Sequence, residues 1–236
     1  MQLRDNFVVL TGATSGIGAA YARALAAEGA RLLICGRRRE VLQERQQELT
    51  RRGSPHVEIL VGDLAESEVM EALEARLTAE PCAMLVNNAG FGYDASVAEA
   101  DPASLDAMLT VHARVPLHLC RAVLPGMIAR GEGTIINVGS LAGRVPVPKA
   151  ALYVATKVFL ERLSESMAME AAPHGVVVQA LVPGYVRTEF HRAIENYEQK
   201  RRNHGLIRWM DADAVVAASL RAAERAARRL RDGGAG

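Results

Sequence analysis

A short, β-rich apolar run, Phe7-Val-Val-Leu-Thr11, passes straight into Gly12-Ala-Thr-Ser-Gly16-Ile-Gly18 and then into a helical pattern reaching Ala27, with Tyr21 and Leu25 on one side. No other stretch restricts the fold as strongly. Glycines between a strand and a helix let the backbone approach a pyrophosphate, and the helix N-terminus adds N–H donors and the positive end of its dipole. Further apolar runs follow at Arg31–Gly36, Val57–Val61, Met84–Asn87, Thr134–Gly139 and Gly175–Val182. Between them lie helical patterns over Arg39–Arg52, Ser67–Ala79 (with Ser67 as N-cap), Ala103–Arg130 and from Ala150 onward. Asp211 is expected to cap a last helix, Ala212–Arg231, and Pro116 to kink or break the long fourth one. Strands alternating with helices specify an α/β fold: one doubly wound domain over residues 1–236, with six or so parallel strands and helices on both faces.

Composition narrows the class. The 236 residues are 50% apolar but only 4% aromatic, so the core must be aliphatic. A net charge of +1 gives no global attraction to nucleic acid or membrane, and the arginines of the last helix (Arg221, Arg225, Arg228, Arg229, Arg231) read as a solvated face. No uninterrupted apolar run approaches the ~18 residues of a membrane helix. The first residues, leading at once into a strand, do not read as a signal peptide. Cys35, Cys82 and Cys120 are odd in number and widely spaced, which suits reduced thiols in a cytoplasmic protein and no metal site.

The chemistry concentrates between Ser140 and Lys157. Ser140 ends an apolar strand, a Gly/Pro-rich connection follows, and Tyr153 and Lys157 sit four apart on one helix face. A hydroxyl, a phenol and an ammonium in that arrangement are what proton transfer to a carbonyl oxygen needs. The cation is expected to pull the phenol down from its ordinary value near ~10 towards working pH. At the end of the second strand, where a carboxylate would bind the ribose 2′-hydroxyl of NAD, the chain reads Cys35-Gly36-Arg37-Arg38, with no acid before Glu40. Two guanidiniums suit a 2′-phosphate, favouring NADP(H) over NAD(H).

Together these residues resemble the short-chain dehydrogenase/reductase family of Rossmann-fold, NAD(P)-dependent oxidoreductases. The likeness runs from about Leu3 to Phe190. Thr11 to Gly18 looks like the family's cofactor loop, which implies cofactor contacts at Gly12, Thr14, Ser15, Gly16, Ile17 and Gly18. Asp63, followed by Leu64, matches its adenine-contacting acid, and Asn87-Asn88-Ala89-Gly90 its motif after strand four. Ser140, Tyr153 and Lys157 match its catalytic set, with Tyr153 and Lys157 also implied to contact the cofactor and Lys157 to hold the nicotinamide ribose. Pro183-Gly184, with Val186 and Thr188, matches the segment contacting the nicotinamide carboxamide. One position departs: the family's catalytic asparagine in the fourth helix is replaced by His112, in Val111-His112-Ala113. A histidine keeps the backbone carbonyl implied to hold a relay water, so His112→Asn is expected to match or exceed the natural chain in activity.

The resemblance implies hydride transfer between NADP(H) and a carbonyl or secondary alcohol, with reduction of an apolar ketone or 3-oxoacyl-type substrate expected. The rival reading, motivated by His112, is a low-turnover NADP(H)-binding scaffold or sensor. Phe91, Tyr93, Leu141, Val145, Tyr185 and Phe190 are candidates for an apolar substrate pocket. Residues 185–210 read as a substrate-side lid whose cations (Arg187, Arg192, Lys200, Arg201, Arg202, Arg208) suit an anionic acyl-CoA, and 232–236 as a disordered tail. The Tyr153 helix is apolar all round, so it and the long fourth helix are expected to form a homodimer. The family's seventh strand, which builds a tetramer, has no counterpart after Arg231.

Overall fold

The computed structural model describes residues 3–189 and 208–233. The strands are β1 (Phe7–Thr11), β2 (Arg31–Gly36), β3 (Val57–Val61), β4 (Cys82–Asn87), β5 (Gly133–Val138) and β6 (Val176–Leu181). They form one sheet in the order β3-β2-β1-β4-β5-β6, every pairing parallel. Strand order reverses between β1 and β4, and the crevice outside their carboxyl ends is where such sheets bind ligands.

The helices are α1 (Gly16–Ala27), α2 (Arg39–Arg51), α3 (Ser67–Ala79), α4 (Pro102–Leu109), α5 (Val115–Arg130), α6 (Ala151–Ala171) and α7 (Ala212–Gly233). Strand side chains alternate between two cores. Val8, Leu10, Leu32, Ile34, Met84 and Val86 pack with Tyr21 and Leu25 of α1, Leu42 and Leu49 of α2, and Val216 of α7. Val9, Leu33, Leu85, Ile135 and Val176 pack on the other face with Leu73 of α3, Leu119 and Val123 of α5, and Met167 of α6. Burial on both faces explains why the central strands β1 and β4 read as apolar runs, whereas the edge strands β3 and β6 are half-buried in part and carry Glu58 and Gln179.

Several expected boundaries shift. β4 begins at Cys82 rather than Met84, and Glu66, not Ser67, stands at the N-cap of α3. The long fourth helix divides into α4, a π-helical turn at Thr110–Arg114, and α5, whose first turn holds Pro116. A proline has no N–H, so the α-helical donor for the carbonyl four residues back, that of His112, is missing, and the ladder changes register there. Asp211 opens α7 through its carbonyl, which accepts from Val215 N–H at 3.1 Å. Its carboxylate turns instead to Arg187, at 3.0 Å. Asp232 and Gly233 close α7 instead of beginning a tail.

The two ends of the expected lid are tied together. Val186 pairs with Met210, Arg187 N–H donates to the Met210 carbonyl at 2.9 Å, and the Tyr185 and Trp209 rings lie 5.0 Å apart. Lid positions 190–207, including Phe190, Arg192, Lys200, Arg201 and Arg202, lie outside the described residues, as do 234–236.

Candidate active site

Loops at the carboxyl ends of the strands enclose a cleft of about 320 Å³. Gly12, Thr14, Ser15, Gly16 and Ile17 form one wall at the start of α1, with Arg37, Arg38, Asp63 and Leu64 at one end. Asn88, Ala89 and Gly90 line the middle, and Ser140, Tyr153, Lys157, Pro183, Gly184, Val186 and Thr188 the other end. Gly36, Gly62, Val111, Val138 and Gly139 also line it, unmarked by any sequence motif. Gly18 does not; it is a packing residue. A Cβ there would lie 2.2 Å from the Gly12 carbonyl oxygen and 2.4 Å from Asn88 Nδ2.

The floor of the cleft is held by one threonine and one asparagine. Thr11 Oγ1 accepts from the N–H groups of Asn88 and Ala89, both at 3.0 Å. Asn88 Nδ2 returns bonds to the carbonyls of Thr11 and Gly12, also at 3.0 Å. These bonds lock the glycine turn to the β4 loop. Gly12 has φ +70°, and a Cβ there would meet Ala89 Cα at 2.8 Å, so the turn needs glycine twice over. A Cβ on Gly16 would meet Thr188 at 3.0 Å, which places Thr188 against the same turn. Such a cradle fits the pyrophosphate of a dinucleotide. At the β2 end of the cleft Arg37 reaches Asp63 at 3.3 Å and Arg38 reaches Glu189 at 3.6 Å. These arginine side chains are 69% and 50% exposed, so the pairs are weak and exchangeable for a phosphate.

Ser140 caps a 3₁₀ turn at Leu141–Arg144, its Oγ accepting from Ala142 N–H at 3.2 Å. The Leu141 N–H donates to the Pro183 carbonyl at 2.9 Å, joining the β5 loop to the β6 loop. Ser140 also hydrogen-bonds the Tyr153 phenol. Lys157 is 6% exposed and donates to the Val138 carbonyl at 3.0 Å, its Nζ lying 5.7 Å from the Tyr153 ring centre. Here the expected electrostatics are corrected. Burial pushes the Tyr153 phenol above its ordinary value, and the bond with Ser140 offsets only part of that. The lysine itself is driven down to about 8 by desolvation, so it stays cationic at neutral pH but stands much closer to titration than a solvated lysine. A phenol kept protonated is suited to giving a proton to a developing alkoxide.

His112 lies behind the cleft wall, 1% exposed. Its Nε2 is 3.0 Å from Phe91 N and its Nδ1 3.1 Å from Thr156 Oγ1. Burial, then the nearby Lys157 charge, lowers its pKa to about 3, so the ring is neutral. Phe91 and Thr156 thus join the site through contacts no sequence spacing reveals. Among the apolar-pocket candidates, Phe91 lines the cleft and Leu141 lies 3.7 Å from where a Gly184 Cβ would stand, with Met210, which was not among them, at 3.9 Å. Tyr93 is directed elsewhere: its hydroxyl accepts from Asp101 N–H, at the N-terminus of α4. Among the described residues no cluster of His, Cys, Asp or Glu could hold a metal, and no helix is long and apolar enough to cross a membrane.

This fold and cleft define a nucleotide-binding α/β protein with a Ser–Tyr–Lys site. The family model described as short chain dehydrogenase matches residues 6–199, and the chain belongs to that family. Among curated relatives, a very-long-chain 3-oxoacyl-CoA reductase of Anas platyrhynchos is 33% identical over 192 residues, covering 79% of this chain and 61% of that protein. The chain therefore spans about three fifths of that reductase's length. A galactitol 2-dehydrogenase (L-tagatose-forming) of Cereibacter sphaeroides is 39% identical over 183 residues, 76% of this chain and 71% of that one. Among solved structures, a short-chain dehydrogenase from Sphingobium yanoikuyae in complex with NADPH superposes with a TM-score of 0.85. It is 31% identical and covers 94% of this chain and 85% of its own.

Proposed function

We propose that the protein is an NADP(H)-dependent oxidoreductase that reduces an apolar ketone or a 3-oxoacyl-type substrate. The observation that carries this reading is the meeting of Ser140, Tyr153 and Lys157 in one cleft with a glycine cradle. Bound there, the nicotinamide would supply the hydride. Ser140 holds the substrate oxygen, and Tyr153 gives that oxygen a proton as charge develops on it, or takes one back in oxidation. Lys157, already turned into the cleft, holds the nicotinamide ribose. Arg37 and Arg38 favour NADP(H), since no carboxylate ends β2, and the NADPH complex of the Sphingobium relative is consistent with this.

The substrate class rests on the rim beyond Ser140. Leu141 is 52% exposed, Val145 61%, Val147 43% and Tyr185 43%, an apolar edge that a bulky hydrophobic substrate would cover. The likeness to a 3-oxoacyl-CoA reductase supports the same class. The accompanying assembly is a cytoplasmic homodimer through α5 and α6; three buried, free cysteines accord with a reducing compartment. A panel of apolar ketones and 3-oxoacyl thioesters run with NADPH and NADH, and of sugar alcohols run with NADP⁺ and NAD⁺, tests the reading. Turnover of an apolar carbonyl with NADPH preferred is expected. Turnover of polyols alone, or no turnover with cofactor bound, would replace it with a sugar dehydrogenase or with the scaffold.

A further inference from the structure

We propose that His112 and Thr156 are positioning residues for Tyr153, forming a one-directional hydrogen-bond chain that ties the catalytic turn of α6 to the β4 loop. This rests on the reading of Tyr153 as the proton donor.

The direction follows from elementary donor counting. The Phe91 amide can only donate, so Nε2 of His112, 3.0 Å away, must present its lone pair. In a neutral ring the proton then sits on Nδ1, which donates to Thr156 Oγ1 at 3.1 Å. Having accepted there, the threonine hydroxyl spends its single proton on the Tyr153 carbonyl, at 2.8 Å. One tautomer satisfies every partner in sequence. Packing supports the same path, since the His112 ring lies edge-on to Phe91 at 5.3 Å and to Tyr153 at 5.8 Å. A Cβ on Gly90 would stand 3.1 Å from Nε2, so the loop is drawn tightly onto the imidazole.

The two ring nitrogens reach different depths, which changes what an amide can replace. An asparagine amide places one arm near Nδ1 and the other near Cδ2, one bond short of Nε2, so its contact with the Phe91 N–H is lengthened. A glutamine amide reaches the position of Nε2 but leaves Thr156 without its donor. The expectation that His112→Asn would equal the natural chain is therefore reversed: it keeps one arm of the bridge and lengthens the other.

Four variants, Thr156→Val, Thr156→Ser, His112→Gln and His112→Asn, would be compared with Tyr153→Phe, each measured for kcat, KM, NADPH affinity and Tm, with an apolar ketone as probe. Thr156→Val removes the hydroxyl at constant shape and is expected to lower kcat by about 10- to 100-fold, the range a small misplacement costs. NADPH affinity should stay within about twofold, since Thr156 itself is not among the residues lining the cleft. Thr156→Ser should recover most of the lost kcat. His112→Gln combined with Thr156→Val should be no worse than the poorer single variant, because both cut the same link. The same His112→Gln and His112→Asn losses in kcat decide the matter if Thr156→Val does not fold. Natural kcat in Thr156→Val or His112→Gln, equal losses in kcat and NADPH affinity, or additive losses in the double variant would overturn the chain. If Tyr153→Phe itself turns over normally, the reading beneath it fails instead.

Discussion

At the scale of single residues, burial governs more than proximity does. Tyr153 and Lys157 were legible as a pair from their spacing, yet the balance of their charges was not, because desolvation depends on what packs around them. Tyr153→Phe deletes only the hydroxyl that bonds Ser140, so turnover should vanish while NADPH binding, followed by fluorescence titration, changes little. Lys157 makes a sharper prediction. Its pKa falls from 10.5 to about 8 on folding, so between those values the unfolded chain binds the extra proton and stability rises with pH. The penalty is fully present below pH ~8, where it amounts to roughly 3 kcal/mol. Lys157→Met should therefore stabilise the cofactor-free protein at pH 7 in urea unfolding, by an amount that shrinks as pH climbs towards 10.5. An equal gain at both ends of that range would show that packing, not charge burial, is the cause. His112 acts at the acid end: lowered from 6.5 to about 3, it costs stability as pH falls through that window.

At the scale of elements, the turns were easier to read than the joints. The alternation of apolar runs and helical patterns placed all six strands within two residues, because the central strands are buried on both faces and a single polar residue, Glu58 or Gln179, interrupts each edge strand. The π turn at Thr110–Arg114 was not legible; a proline announces a break but not the register that replaces the lost bond. Nor was the Thr11–Asn88 lock, which joins residues 77 apart. That lock makes Gly18→Ala a test of the β1–α1 turn. Alanine would gain about 1 kcal/mol of helix propensity. Its methyl, however, meets the Gly12 backbone at 2.2 Å, where no flexible side chain can yield. Overpacking of that kind costs about 1–3 kcal/mol or more, so a net loss in Tm together with NADPH affinity is expected. At the β2–α2 junction, Arg37→Ala should weaken NADPH binding by ~1.5–3 kcal/mol, the scale of a charge-assisted hydrogen bond, and leave NADH nearly unchanged. Calorimetry with both cofactors checks this, and equal losses would make Arg37 a structural partner of Asp63.

At the scale of the whole molecule, α6 carries two faces. Thr156, Lys157, Leu160, Glu161, Ser164 and Met167 are buried within the chain, and Arg144 from the 3₁₀ turn closes onto Glu161. Away from that side stand Val158 at 38% exposure, Phe159 at 40% and Met169 at 81%, with Leu109 and Leu117 of the neighbouring helices at 45% and 42%. Sequence periodicity alone showed a helix apolar all round but not which residues the chain's own core would claim. Large side chains left in water on adjacent helices are the expected seam of a two-fold dimer, where each contact occurs twice. Phe159 has 40% of its surface left to cover, so each copy contributes about 0.6–1.2 kcal/mol. Phe159→Glu removes that from both protomers and sets like charges facing each other across the axis. The dissociation constant should then rise by at least about tenfold, each 1.4 kcal/mol being a factor of ten. Light scattering at micromolar concentration is expected to show a dimer for the natural chain and a monomer for Phe159→Glu, with circular dichroism unchanged. A natural chain that is already monomeric sinks the interface, and a tetramer would reveal a second contact outside α5 and α6.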